Sequence, residues 1–317
     1  MQNIKVGGEN LSLIGNRYEI LNFDGNIELN KIYEARDAYD NIKVLIKVIE
    51  HNNNICSDFI SNLIDENTMI NQLNSPYILK TIDIGEHCTE FTTFYYIVSE
   101  YYEGISLKNL ILGNYIHLEA IVNMSTQILK ALEVIHNNSY HGDLNPKNII
   151  VDGNYNIKIF GFGITKANQG INIRSYNEVK YLSPHQLCIN YTDKESDYFS
   201  LGIILFESIF KKMPFGESND DEEMLKLIDK GIEFKNLKAI NGNYKLIEII
   251  KKLLNRKDKY NNTKEIIIDL SHVMYDKADI DDIKVCELDV VNKRINSKFL
   301  VAASMLIIIS MMIFSMI

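Results

Sequence analysis

The sequence predicts an α+β fold, with a strand-rich N-terminal part and a larger helical C-terminal part, followed by one transmembrane helix. Three observations lead to this prediction. Three short segments in the first hundred residues have the length and composition of β-strands, namely Tyr18–Leu21, Lys31–Arg36 and the apolar run Val44–Ile49. Farther along, Leu118–Asn137 has apolar residues at helical spacing. The last segment, 299–317, contains no charged residue.

Length, charge and cysteine content exclude several classes of protein. A chain of 317 residues is long enough for one domain of two lobes with a full core. The formal net charge is -9, and no basic cluster with interleaved aromatic residues occurs, so nucleic acid is not expected as a partner. The four cysteines form no C-x-x-C pair, which argues against a zinc site or a disulfide framework and favours a reducing compartment.

The two ends of the chain predict where the protein is located. The first ten residues lack the apolar core of a secretory signal, so export by that route is not expected. The nineteen residues of 299–317 would span roughly 28 Å as a helix, enough to cross a membrane; the alternative is a buried core helix. Three cations, Lys293, Arg294 and Lys298, precede this segment and favour a cytoplasmic domain. We therefore expect a tail-anchored protein with a charged linker at 276–298.

The apolar run Val44–Ile49 carries one lysine, Lys47. A lysine inside such a run must be paired with an acceptor, because an unpaired buried charge is costly. The alternative is a lysine on an edge strand whose ammonium reaches water.

A second polar feature lies between two apolar runs, at Tyr140–Ile150. Asp143 and Asn148 are five residues apart and flank Pro146, so a tight loop would present both side chains to one small volume. A carboxylate that orients a hydroxyl group and an amide that helps to hold a metal on phosphates suit phosphoryl transfer. The alternative is a polar turn whose side chains bond only to their own backbone.

The stretch Tyr140–Ile150 resembles the H-R-D-L-K-P-x-N catalytic loop of eukaryotic-type Ser/Thr protein kinases, a family with bacterial members. Here Gly142 replaces the Arg and Asn145 replaces the Lys. The resemblance implies a two-lobed kinase fold, with a small β-rich N-lobe at 18–104 and a larger helical C-lobe at 105–275. It also implies ATP and Mg²⁺ as cofactors and a protein as substrate or partner.

The same resemblance assigns roles to individual residues. Asp143 and Lys47 occupy the catalytic positions, and Asn148 occupies a metal position. Glu66, ten residues before Pro76, occupies the helix position that pairs with the strand lysine. The positions implied to contact the nucleotide are Gly25, Ile32, Lys47, Glu66, Glu100, Tyr102 and Asn148.

Several family residues are replaced in this chain. Gly161 stands where the D-F-G motif has its metal-binding Asp, and a glycine offers no side-chain oxygen. Gly25 keeps the first glycine of the phosphate-binding loop, whereas Ile27 and Asn30 replace the other two, so a close phosphate cradle is not expected. In the C-lobe, His185 and Lys259 replace the Glu and Arg of an ion pair, and these two would repel each other if both were protonated.

Other family positions are retained. Asp197, at the start of a helix, matches the residue that holds the catalytic-loop backbone. His141, Phe162 and Ile70 match members of an apolar stack that links the lobes. The scaffold is therefore expected to be better preserved than the catalytic machinery.

Three functional hypotheses follow. The first is a membrane-tethered pseudokinase that binds a protein partner and, weakly, a nucleotide. The second is an active Ser/Thr kinase in which Asp143 orients the hydroxyl group, Lys47 positions the phosphates and Asn148 holds a single metal. The third is a small-molecule phosphotransferase of the aminoglycoside or choline kinase type. That third class does not explain the segment Tyr181–Gln186 or the pair Pro214-Phe215.

Overall fold

A computed structural model describes residues 4–6, 9–11, 13–21, 32–90, 93–113, 116–173, 179–232 and 244–275. The chain divides into two units, Met1–Ser271 and His272–Ile317. Residues 272–275 are the described part of the second unit.

The strands of the described chain form three antiparallel sheets. The largest has the order β3-β4-β5-β7-β6, and a smaller one has the order β10-β9-β8. A separate pair joins β1 to β2. The strand bounds are β1 Ile4–Val6, β2 Glu9–Leu11, β3 Tyr18–Ile20, β4 Ile32–Asp37, β5 Lys43–Glu50, β6 Thr81–Cys88, β7 Thr93–Glu100, β8 Ile105–Ser106, β9 Ile149–Val151 and β10 Ile157–Ile159.

Strands β5 and β7 are apolar on both faces and serve two hydrophobic cores. Alternate side chains of a strand point to opposite faces of the sheet. Val44, Ile46 and Val48 of β5 enter one core, whereas Leu45 and Ile49 enter the other. The second core also contains residues that follow the catalytic-loop segment in sequence. One face of β5 is therefore directed at the predicted site.

Helix α1, Phe59–Gln72, covers that face of the sheet. Its buried side chains, Phe59, Leu63, Asn67 and Ile70, recur every three or four residues and form one stripe. Two of them, Phe59 and Leu63, belong to the core that contains Leu45 and Ile49. The remaining helices lie in the second half of the described chain: α2 Leu107–Gly113, α3 Leu118–Ile135, α4 Ile164–Ala167, α5 Pro184–Ile189, α6 Lys194–Phe210, α7 Asp221–Lys230, α8 Tyr244–Leu253 and α9 Thr263–Tyr275.

Helix α6 is the centre of the C-terminal half. Every residue from Ser196 to Ile209 is buried. Helices α3 and α8 pack directly on α6. The helical spacing of Leu118–Asn137 predicts a helix in this half of the chain. That segment is helical, as α3, but it is α6 that is buried on all sides.

The predicted two-part α+β architecture is confirmed. Strands β3, β4 and β5 and helices α1, α3 and α6 overlap the segments that the sequence predicts. The proposed lobe boundary after residue 104 lies between β7 and β8 and stays a prediction. The turn that contains Gly25, the linker 276–298 and the segment 299–317 lie outside the described residues. Within the part of the chain that the structure describes, no helix combines the length and apolar composition needed to cross a membrane.

Candidate functional site

The candidate site is built around the buried ammonium group of Lys47. Lys47 shares its face of β5 with Leu45 and Ile49 and is 2% exposed. Its Nζ donates a hydrogen bond to Oδ1 of Asn148 at 3.1 Å and lies 3.6 Å from Oδ2 of Asp143. A buried charge needs such acceptors, because desolvation costs several kcal/mol. Of the two interpretations from sequence, the paired lysine is therefore the right one.

The catalytic loop, residues 141–148, holds Asp143 and Asn148 side by side. Nδ2 of Asn148 donates to the Asp143 carbonyl at 2.8 Å and to its Oδ2 at 3.2 Å. Asn145 fixes the turn between them: its Oδ1 accepts from the Lys147 N–H at 3.0 Å, and its Nδ2 donates to the Asp143 carbonyl at 3.0 Å. Pro146 begins the short 3-10 helix that brings Asn148 back towards Asp143. The loop geometry expected from sequence is confirmed.

Asp197 anchors the start of this loop. Its carboxylate is fully buried and accepts hydrogen bonds from the N–H groups of His141 and Gly142, both at 2.8 Å. His136 Nε2 lies 2.9 Å from the same carboxylate. The role that the sequence predicts for Asp197 is confirmed.

His141 links the loop to the apolar stack. Its Nε2 lies 3.0 Å from the Phe160 carbonyl, and its Nδ1 lies 3.2 Å from the Asp143 N–H. A neutral ring with the proton on Nε2 satisfies both contacts. The ring packs edge-to-face on Phe162, with ring centroids 4.7 Å apart. Complete burial lowers the pKa of His141 from its ordinary value of 6.5 to about 4.

We expect the folded protein to lose stability between pH 6.5 and pH 4 through His141. In this window the unfolded histidine binds a proton and the native one does not, so lowering the pH favours unfolding. The contribution of His141 to the free energy of unfolding is fully present above pH 6.5. Between pH 6.5 and pH 4 this contribution falls by about 3 kcal/mol. Urea unfolding at a series of pH values measures it. The variant His141→Gln should show a flatter dependence in this window, and an unchanged slope would contradict the assignment.

Gly161 leaves the metal side of the site without a carboxylate. The residue has φ of +88°, and a Cβ built on it would lie 3.9 Å from the Nζ of Lys47. The remaining oxygen donors, on Asp143 and Asn148, both face that ammonium group. In the described part of the chain, no group of three or more His, Cys, Asp or Glu side chains is placed to hold a metal ion. The residues present do not fit the magnesium site that the family resemblance implies.

The predicted ion pair between Lys47 and Glu66 is not formed, so this expectation was wrong. Glu66 instead accepts a hydrogen bond from Ser139 Oγ to its Oε2 at 3.1 Å, and burial raises the pKa of its carboxyl group. In the same region the short helix α4 packs against α1. Gly163, just before α4, approaches so closely that a Cβ there would lie 3.1 Å from the Cβ of Glu66.

Side-chain amides hold α4 in this position. Asn62 of α1 donates from Nδ2 to the Ala167 carbonyl at 3.0 Å. Asn168, at the end of α4, accepts from the Cys56 N–H at 2.8 Å and donates to the Asn54 carbonyl at 2.8 Å. The roles of these asparagines cannot be predicted from the sequence, because an isolated Asn in a polar segment does not indicate which group it will bond.

A second pair of amides, which we call the amide clamp, holds the backbone at Gly142. The Gly142 carbonyl accepts from Nδ2 of Asn172 at 2.8 Å and from Nε2 of Gln186 at 2.7 Å. Gln186 also completes a capping box with Ser183 at the start of α5. Both clamp residues are buried. The segment after the catalytic loop is thus fastened to it by uncharged groups.

The other predicted nucleotide contacts lie around this centre. Ile32 is paired with Lys47 across β4 and β5. Glu100 binds Lys158 at 3.1 Å, and the Tyr102 hydroxyl donates to Asp152 at 2.9 Å. Both side chains therefore have partners, and their contact with a nucleotide stays a prediction. Gly25 is not among the described residues.

His185 and Lys259 do not oppose each other as expected. His185 Nδ1 lies 3.3 Å from Oδ2 of Asp193, and Lys259 pairs with Glu195. Each of the two side chains contacts its own carboxylate at the start of α6, so they do not face each other as the sequence predicts.

Comparisons with known proteins agree with this geometry. The chain matches the protein kinase domain family over residues 24–272. It is 31% identical over 273 residues to the probable serine/threonine-protein kinase CPE1738 of Clostridium perfringens, covering 83% of this chain and 39% of that protein. It is 35% identical over 212 residues to the serine/threonine-protein kinase PrkC of Bacillus subtilis, covering 65% of this chain and 32% of PrkC. The chain thus spans less than half the length of these relatives.

The family match includes Tyr181–Gln186 and Pro214-Phe215, the segments that a small-molecule phosphotransferase leaves unexplained. The catalytic loop, the His141–Phe162 contact and the Asp197 anchor all have the geometry that the family resemblance requires. On this match and this geometry, the chain belongs to the protein kinase family.

Proposed function

We propose that this protein is a membrane-tethered kinase-fold signalling protein with impaired phosphotransfer, which acts by binding a protein partner. One observation carries the proposal. The ammonium group of Lys47 lies between Asp143 and Asn148, and Gly161 supplies no carboxylate to hold a metal on the opposite side.

Three features of the site weaken phosphotransfer. The Lys47 ammonium is engaged by the catalytic loop, so it must move before it can contact phosphates. Glu66, which the family resemblance pairs with this lysine, is bonded to Ser139 instead. Without a metal-binding carboxylate, transition-state stabilisation falls by several kcal/mol, which corresponds to a rate loss on the order of a thousandfold or more.

The site retains groups for weak nucleotide binding. Leu45 and Ser99 are paired in register, and Ser99 is buried. The family resemblance implies that Leu45 faces the adenine ring. Strand β5, which carries Lys47, is paired in register with β4 and β7. ATP would bind through the backbone of the Glu100–Tyr102 segment and through Lys47.

The alternative is an active Ser/Thr kinase with an altered metal site. The observation that favours it is the preserved relation between Asp143 and Asn148. The two relatives described above also bear the names of serine/threonine kinases. In this alternative, Asp143 orients the acceptor hydroxyl group and receives its proton.

Transfer of labelled γ-phosphate distinguishes the two functions. The purified full-length chain in detergent is incubated with Mg²⁺ or Mn²⁺ and a generic protein acceptor, beside the variant Asp143→Asn. We expect both proteins to give the same background incorporation. A signal that Asp143→Asn removes would establish the kinase activity and overturn the proposal of impaired transfer.

The membrane tether rests on the uncharged segment 299–317 and the cations before it. Truncation after Asn292 should move the protein from the membrane fraction to the soluble fraction. Fractionation of cells with an antibody against the folded domain measures this shift. Unchanged membrane association of the truncated chain would refute the tether.

A further inference from the structure

A cavity of about 370 Å³ lies in the C-terminal half, away from the residues of the catalytic loop. It is enclosed by the first turns of α5 and α6 and by the end of α8 with the loop that follows, and we call it the α5–α8 cavity. Ligand pockets have volumes of roughly 300–1,000 Å³, so the cavity is large enough for a small organic molecule.

The cavity lies where the family resemblance places the Glu–Arg ion pair. His185 and Lys259, which replace that pair, both line it. Each turns to its own carboxylate on the rim, His185 to Asp193 and Lys259 to Glu195, and each remains 46% exposed. Because neither side chain crosses to the other, the space between α5 and the loop after α8 stays open.

The floor of the cavity is aromatic and rigid. Tyr198, Phe199 and Tyr260 are each at most 6% exposed and line it. The Tyr260 hydroxyl donates to Asp269 at 2.7 Å, and Phe199 stacks on Phe215 with ring planes 5° apart. Rings fixed in this way form a binding surface that needs no rearrangement to accept another ring.

One cation faces this floor. The Nζ of Lys252 lies 4.2 Å from the centroid of the Tyr260 ring. Within the described residues it makes no ion pair with a carboxylate, whereas the other lysine and the arginine of the lining, Lys259 and Arg256, pair with Glu195 and Asp229. The charge of Lys252 also acts on the nearby carboxylate of Glu265, although no described carboxylate forms a direct ion pair with it. The lining therefore combines an aromatic floor with a positive charge that no described carboxylate contacts directly.

We propose that the α5–α8 cavity binds a small aromatic carboxylate. Its ring packs on the aromatic floor, and its carboxylate pairs with Lys252. This site is separate from the nucleotide site, so its occupancy does not depend on whether the protein transfers phosphate.

Binding of 2-naphthoate tests the proposal. The full-length chain is placed in lipid nanodiscs, empty nanodiscs are the reference, and the uncharged 2-naphthamide is the matched ligand. We expect calorimetry to detect naphthoate binding above the reference and at least tenfold weaker binding of the amide. Binding no stronger than that of the empty nanodiscs would overturn the proposal.

Two variants test whether naphthoate binds in the α5–α8 cavity. Lys252→Gln should weaken naphthoate binding about tenfold, whereas the neighbouring Lys251→Gln should leave it unchanged. The double variant His185→Glu with Lys259→Arg restores the family ion pair and should abolish binding by filling the cavity. Circular dichroism verifies that each variant is folded. Binding that neither Lys252→Gln nor the double variant affects would place the ligand elsewhere and refute the site.

Discussion

Replacing Asp197 by asparagine should lower the free energy of unfolding by about 3–5 kcal/mol, because it breaks a buried, charge-assisted network. The carboxylate accepts from the His141 and Gly142 N–H groups at 2.8 Å and contacts His136. Asparagine has nearly the same volume, so no cavity is created, but its NH₂ group would face N–H donors. Urea unfolding followed by circular dichroism measures the loss.

Asp193→Asn is the matched control for this prediction. Asp193 lies four residues earlier and caps α6 by accepting from the Ser196 N–H at 3.0 Å. Asparagine caps helices about as well as aspartate, so this variant should change stability by less than about 0.5 kcal/mol. Equal losses in the two variants would mean that Asp197 does not anchor the catalytic loop.

Phe162→Asp should prevent stable folding, with a loss of about 4 kcal/mol or more. Phe162 is 3% exposed and packs on His141. The change removes a buried aromatic ring, which costs about 3–5 kcal/mol, and adds an unpaired buried carboxylate. Limited proteolysis of the purified protein measures the loss of folded material.

Phe162→Leu keeps the site apolar and should cost only about 1–2 kcal/mol. In cells, Phe162→Asp should abolish function, whereas Asp143→Asn should leave it largely intact if the protein acts by binding. An Asp143→Asn phenotype equal to deletion of the gene would contradict the proposed function while leaving the folding prediction in place.

The sequence predicts the scaffold well because the scaffold depends on local patterns. The apolar run in β5 and the helical spacing in α3 are properties of short segments, and both elements form as expected. The polar loop around Asp143 is also local, since Asn145, Pro146 and Asn148 lie within five residues of it.

The partners of Lys47 and Glu66 could not be predicted, because they depend on how α1 packs. The spacing before Pro76 places Glu66 on α1, but it does not show which side of that helix faces β5. The structure pairs Lys47 with Asn148 and Asp143, and it pairs Glu66 with Ser139. These partners are at least 73 residues away in the sequence, so no local pattern indicates them.

The amide clamp escaped prediction for a different reason. Asn172 and Gln186 are 30 and 44 residues from Gly142, and amides donate to any nearby carbonyl. Only the fold brings them together. His185 and Lys259 illustrate the same limit, since the pairing of each with a carboxylate of the α6 start is a consequence of how α5 and α6 meet.

The amide clamp also determines how the protein responds to its ionic environment. Where a segment is fastened by a phosphate and an arginine, added salt weakens the attachment and a phosphatase removes it. The hydrogen bonds from Asn172 and Gln186 to the Gly142 carbonyl join groups without net charge. Their strength is therefore the same in dilute buffer and in the crowded ionic medium of a cell. The attachment of Asn172 and Gln186 to the catalytic loop is therefore a fixed structural contact that neither added salt nor a phosphatase removes.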